Sequence, residues 1–298
     1  MSYQLSMRPA AKTALVENAE FLFTVHDLDL IVRIMMQEAG ISLSGAKANL
    51  VYSRLAKRVR KLGLRDFASY CKLVESEDGH AERGEMIAAL TTNVTRFFRE
   101  PHHFEHLRTK ILPPLVAAAK AGQRVRLWSA ACSSGQEPYS MALTLLELLP
   151  EAARYDIKIL ATDIDPNVLA TGAAGMYEAN LLEPVPAPLR KNWFTPLSDG
   201  SGRLRAHADL RALISFRRLN LIGDWPMRGR FNAIFCRNVV IYFENVTQER
   251  IWTRMTPLLE EDGALYIGHS ERISGPAEAL LASDGITIYR KRGAGRTK

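Results

Sequence analysis

The chain has 298 residues, 47% of them hydrophobic, which is enough to bury a sizeable core in one large or two modest domains. Thirty-nine basic against 32 acidic residues give a formal charge of +7 and point to an acidic partner: nucleic acid, an anionic surface or an acidic protein. Cys71, Cys132 and Cys236 lie far apart with no C-x-x-C, which excludes a disulfide framework or zinc ribbon. No stretch reaches signal-peptide or transmembrane length, so a cytoplasmic protein is expected.

Residues 1 to about 24, of mixed polarity, read as a loosely ordered lead-in. From Asp27 the period turns helical: Leu28, Ile31, Val32, Met35 and Met36 recur at three- and four-residue steps until Gly40. Ala46 to Leu62, Phe67 to Val74 and Glu82 to Leu90 continue the helical pattern, giving a helical N-terminal domain over 1–90. Arg54, Lys57, Arg58 and Lys61 fall on one face of its second helix with no acid among them. Such a stripe is either a solvated face or the complement of a negative surface, a phosphate backbone or a glutamate-rich helix.

TTNVTRFFRE, Thr91 to Glu100, is polar and aromatic without a period and reads as a loop or helix start that lines a site. Asn93 and Thr95 offer hydrogen bonds there, and Arg96 and Arg99 offer charge. Alternatively or in addition, Asn93 or Thr95 is the N-cap of a helix containing Phe97 and Phe98. His102 and His103, adjacent in a helix, should point to different sides and make a poor metal pair; no metal site is expected. From Val125 the chain alternates strand and helix, as in a doubly wound, Rossmann-like parallel sheet spanning 91–298. Predicted strands are Val125–Ala131, Ile157–Ala161, Ile214–Leu221, Phe231–Cys236, Ala264–Gly268 and Ile286–Arg290. Between Tyr177 and Leu213 the rhythm breaks over a length too great for a plain loop, so a small β-element is inserted there. A hairpin from Asn192-Trp193-Phe194 to Arg203-Leu204-Arg205 fits it.

The turn after the first strand, Cys132-Ser133-Ser134-Gly135, lacks G-x-G-x-x-G spacing and places Glu137 at a helix N-terminus. A phosphate would be repelled there, which disfavours a nicotinamide dehydrogenase, whereas an ammonium would be welcome. Asp163 closes the second strand, where doubly wound folds bind ribose hydroxyls. Asp165 reads instead as the N-cap of the helix at Pro166. Arg99 offers a carboxylate partner, and Asn220, Leu221 and Asn238 offer adenine contacts. These are the complements of S-adenosylmethionine.

TTNVTRFFRE, LWSAACSSGQEPYSMA, ATDIDPNVL, FNAIFCRNVVIYF and LEEDGALYIGHSE, in that order, resemble the chemotaxis-receptor glutamate methyltransferases, the CheR family. The resemblance covers nearly everything after residue 25. It implies an all-helical N-terminal domain, a methyltransferase domain with an inserted β-subdomain at about 177–213, and methyl transfer from S-adenosylmethionine to glutamates on the cytoplasmic helices of chemoreceptors. S-adenosylhomocysteine is the implied product. The implied cofactor residues are Asn93, Thr95, Arg99, Glu137, Asp163, Asn220, Leu221, Arg237 and Asn238. Arg54, Lys57, Arg58 and Lys61 would meet the receptor's acidic helix, and the β-subdomain would be the place for a C-terminal receptor peptide. A glutamate is already ionised at neutral pH, with an unperturbed pKa of about 4.3, so no general base is needed. Tyr242 either orients it or packs under the site, Cys236 being read as a buried strand residue. Competing readings are an RNA methyltransferase, for which only Tyr52 stands near the stripe as a stacking platform, and a non-catalytic cofactor-sensing adaptor.

Overall fold

The computed structural model describes residues 14–17, 19–43 and 47–292. The chain divides into two compact units, Met1–Thr91 and Thr92–Lys298. The first contains α1 (Val25–Ala39), α2 (Ala48–Lys61), α3 (Phe67–Glu75) and α4 (His80–Leu90). Thr24 opens α1 with a capping box: Asp27 N–H donates to Thr24 Oγ1, and Thr24 N–H donates to the Asp27 carboxylate at 2.9 Å. The helices bury Ile31, Met35, Val51, Leu55, Val59, Phe67, Tyr70, Val74 and Met86. Part of the expected loose lead-in belongs to this core. Phe23 is fully buried, 4.5 Å from the Phe67 ring centre, and Leu15 N–H donates to Phe23 O. Residues 1–13 lie outside the described residues.

The basic stripe on α2 is not a free face. Arg58 turns onto α4, donating through Nε to Glu82 Oε1 at 2.9 Å and through Nη1 to Glu85 Oε2 at 2.8 Å. Tyr70 Oη donates to the same Glu82 Oε1 at 2.9 Å. Arg54 caps the C-terminus of α4, donating to the carbonyls of Leu90 at 2.9 Å and Thr91 at 2.7 Å. Only Lys57 and Lys61 of the four remain exposed. The acids missing from α2 are supplied by a neighbouring helix.

The second unit opens with one continuous helical rod: α5 (Pro101–His106), a π-turn at Leu107–Ile111, and α6 (Leu112–Lys120). Alternation follows through β1 (Val125–Ala130), α7 (Gln136–Leu148), β2 (Ile157–Asp163) and α8 (Pro166–Ala174). The inserted element comprises β3 (Met176–Glu178), α9 (Ala187–Trp193), β4 (Phe194–Pro196) and β5 (Arg203–Ala206). Then come α10 (Ala208–Ala212), β6 (Ile214–Arg218), β7 (Phe231–Cys236) and α11 (Asn245–Met255). The unit ends with β8 (Leu259–Ile267), α12 (Ala277–Leu280), β9 (Leu281–Gly285) and β10 (Ile288–Lys291).

The main sheet runs β6-β2-β1-β7-β8-β10-β9, parallel from β6 to β8, with β10 antiparallel to both its neighbours. β1 and β7 are buried at nearly every position, as sheets covered on both faces require. Strand order reverses at β1, which has β2 on one side and β7 on the other, so the crevice beyond its C-terminal end is the switch point where ligands bind. The predicted hairpin exists with different bounds: β4 pairs with β5 from Phe194↔Ala206 to Pro196↔Leu204, and β3 adds a third antiparallel strand. Neither β3 nor β9 was expected.

Glu82 holds Arg58 and Tyr70 in a site where its side chain is 10% exposed, and breaking such a pair costs about 3 kcal/mol. Glu82→Gln is therefore expected to speed hydrogen exchange across 48–90 while leaving β1 and β7 protected; unchanged exchange would contradict this.

A charged edge at the strand C-termini

The chain leaves β1 through a turn that only small residues fit. Ala131 and Ser133 take positive φ of 65° and 49°, and Gly135 takes 97°. A Cβ on Gly135 would lie 2.8 Å from Tyr177 Oη and 3.0 Å from Gly172 Cα, closing this position to other residues. The strained Ser133 is held by its backbone N–H, which donates to Asp163 Oδ2 at 2.8 Å. The other oxygen of Asp163 accepts from Asp165 N–H at 3.1 Å. Asp163 is 6% exposed, and burial raises its carboxyl above the usual range. A carboxylate has roughly four lone-pair sites, and these backbone donors do not fill them all, which leaves acceptor capacity for a further donor. Asp165 caps α8 by accepting from Asn167 N–H at 2.8 Å, as expected.

Asn93 and Thr95 cap no helix. The next helix begins at Pro101 after Glu100, which sits in the left-handed region at φ 58° without a side-chain cap bond. Asn93 is instead tied to this edge: Nδ2 donates to Asp165 Oδ2 at 2.9 Å, and its carbonyl accepts from Ser133 Oγ at 2.9 Å. Thr95 is half-buried in the same segment. Arg99 is half-buried and donates to Val94 O at 3.0 Å.

The strongest electrostatic feature was not legible in the sequence. Arg237, at the end of β7 and with its side chain 1% exposed, donates to Glu137 Oε2 at 3.1 Å and to the carbonyl of Arg99. It also pairs with Glu100 Oε2 at 3.4 Å. Glu137 accepts in addition from Ser129 Oγ at 2.7 Å, and burial raises its carboxyl pKa against the pull of Arg237. Burial alone would raise Glu100 too, but the Arg237 charge and hydrogen bonds from His269 and Asn238 outweigh it and hold it at about 2. Burial and the Arg237 charge hold His103 down to about 3, so it is neutral. Two carboxylates therefore share one guanidinium, while Arg237 Nε and Glu100 Oε2 lack hydrogen-bond partners. Contrary to expectation, Glu100, His102 and His103 bring ligand-type atoms within 4.8 Å of one another, the two histidine rings lying 4.2 Å apart. The Arg237 cation against Glu100 makes this an arginine cradle.

Asn238 follows Arg237 at φ 57° and reaches Glu100 Oε1 at 3.4 Å. Asn220, beyond β6, turns its side-chain oxygen back to Ile222 N–H at 3.1 Å, and Leu221 beside it is buried. Leu219 N–H donates to Asp163 O, so this segment runs beside the end of β2. Tyr242 is half-buried in the short 3-10 turn Val240–Tyr242. Cys236 is fully buried in β7, as read from the sequence.

Residues 26–91 match the family model described as CheR methyltransferase, all-alpha domain, and residues 93–286 match CheR methyltransferase, SAM binding domain. A probable chemotaxis protein methyltransferase of Rhizobium etli is 54% identical over 267 residues, covering 88% of this chain and 99% of that protein. Chemotaxis protein methyltransferase 2 of Pseudomonas aeruginosa is 43% identical, covering 91% of this chain and 95% of its own. The chemotaxis protein methyltransferase of Escherichia coli is 40% identical, covering 87% and 88%. Two domain matches in series and relatives aligned almost end to end lead to one conclusion: the chain belongs to the CheR methyltransferase family.

Proposed function

We infer that the protein transfers a methyl group from S-adenosylmethionine to glutamate side chains of chemoreceptors, giving methyl esters and S-adenosylhomocysteine. The observation that carries this reading is the pair of domain matches over 26–91 and 93–286, which leaves neither half of the enzyme unaccounted for. The edge beyond β1 agrees with it chemically. Asp163 has acceptor capacity for the ribose, and the Glu100–Arg237–Glu137 cluster is completed by the ammonium of the amino-acid end. Arg99 would take the carboxylate of that end, and Asn93, Thr95 and the Asn220–Leu221 and Asn238 segments would enclose the rest.

When bound, the cofactor supplies an electrophilic methyl on a neutral leaving group. The chain's task is to align an already ionised glutamate with it and strip the water away, an approximation that supplies about 7–11 kcal/mol of the barrier. Tyr242 is assigned to orient the incoming carboxylate. Cys132 and Cys236 are buried thiols whose pKa burial pushes well up, so a covalent relay through either has no support.

Receptor recognition is assigned to the exposed pair Lys57 and Lys61 on α2, one helical turn apart, since Arg54 and Arg58 are spent inside the domain. The same internal pairing halves the stripe that an RNA substrate would have used. The three-stranded sheet β3-β5-β4, with open edges on β3 and β4, is the candidate platform for a receptor C-terminal peptide. No helix among the described residues is long and apolar enough to cross a membrane.

Incubation with methyl-labelled donor and receptor-bearing membranes should place base-labile methyl esters on receptor glutamates; no such ester would sink the reading. Lys57→Glu with Lys61→Glu should lower that methylation with donor affinity intact, whereas unchanged methylation would remove α2 from receptor binding. Arg99→Ala should raise the dissociation constant of S-adenosylhomocysteine by about tenfold, the worth of one charge-assisted bond, with little change in stability. Asp163→Ala should weaken the same binding and also destabilise the turn, because it frees the N–H groups of Ser133 and Asp165. Parent-like affinity in either variant, measured by calorimetry, would refute its assignment.

A further inference from the structure

We propose that Glu271 is a positioning residue for methyl transfer, a carboxylate that shapes the loop carrying Arg237, Asn238 and Tyr242 without touching the reacting atoms. The inference rests on the reading of this edge as a methyl-transfer site.

Glu271 lies four residues beyond β8 and is 3% exposed. Its Oε1 accepts from the backbone N–H groups of Val239 at 2.8 Å and Val240 at 2.9 Å. Its Oε2 accepts from Asn238 N–H at 2.9 Å and Gly268 N–H at 2.6 Å. All four lone-pair sites of the carboxylate are therefore filled, and three of the donors are consecutive residues. No ion pair among the described residues reaches Glu271. A buried carboxylate without a cation is costly, and here main-chain donors alone oppose that cost. The side chain is thus a template for backbone.

What it templates is the departure of the chain from β7. Asn238 is in the left-handed region at φ 57°, and Val239 and Val240 then start the turn that carries Tyr242. Without the anion, three adjacent N–H groups would need other partners, and the loop would relax away from the cradle holding Arg237. Glutamine cannot substitute: it has one acceptor oxygen, and its NH₂ would face two N–H donors. Gly268 completes the seat. A Cβ there would lie 2.5 Å from Asn238 Nδ2, 2.8 Å from Asn238 N and 2.9 Å from Glu271 Oε2, so the loop packs on bare backbone.

Two variants test the role, Glu271→Gln, which removes the anion, and Gly268→Ala, which keeps the anion and blocks the seat. In each, kcat at saturating donor and receptor should fall at least about tenfold while the receptor KM moves less than about threefold. Amide exchange at 238–240 should quicken by about tenfold or more, with β1 and β2 unchanged. Parent-like kcat, or unchanged exchange at 238–240, in a folded Glu271→Gln would overturn the proposal. So would a loss of activity accompanied by uniformly faster exchange through the sheet, the mark of a merely structural residue. If Glu271→Gln does not fold, Gly268→Ala decides by the same criteria. Failure of the parent protein to form methyl esters would sink the functional reading instead, and the exchange measurement would still judge Glu271.

Discussion

A guanidinium buried to 1% exposure is the constraint around which the edge beyond β1 and β7 is built. Left alone, the Arg237 cation would cost several kcal/mol in such a place, so three elements converge on it. Glu137 comes from the first turn of α7, Glu100 and the Arg99 carbonyl from the segment before α5, and Arg237 itself from the end of β7. Meeting them explains why α7 starts with an acid and why the chain at Glu100 accepts a left-handed backbone. It also gathers two carboxylates at one point of the edge, where the proposed ammonium of the cofactor would sit.

The backbone around this cluster is under strain, and the strain is localised. Among the described residues, the non-glycine positions with positive φ are Phe98, Glu100, Ala131, Ser133, Asn238 and Thr287. Ala131, Ser133 and Asn238 lie in loops leaving the C-termini of β1 and β7, and Glu100 pairs with Arg237 beside them. Each such residue costs about 1–3 kcal/mol and persists only when its surroundings hold it. Two buried carboxylates do that in parallel ways. Asp163 grips Ser133 after β1, and Glu271 grips Asn238 after β7. The loops on both sides of the crevice are therefore set before any ligand arrives, which suits a reaction that asks for alignment and no proton transfer.

Much of this was legible from local pattern. The strand–turn–helix at 125–148, the acid ending β2, the Asp165 cap and the helical N-terminal unit all follow from periodicity and turn chemistry, which act over a few residues. The misses are pairings across long separations. Arg58 meets Glu82 from 24 residues away and Arg237 meets Glu137 from 100 away, so a stripe that looked unpaired was half paired, and an acid that looked free was shared. The three-residue β3 is too short to show a period. The capping alternative for Asn93 and Thr95 fails, and nothing local reveals that Pro101 starts the helix after a left-handed Glu100.

The central claim is that the carboxylates of the Glu100–Arg237–Glu137 cluster receive the ammonium of a sulfonium cofactor. Calorimetry with S-adenosylhomocysteine and with its analogue lacking the amino group tests it most directly. The account predicts that the deaminated analogue binds at least about tenfold more weakly, the worth of one charge-assisted contact. Equal affinity for the two would contradict it.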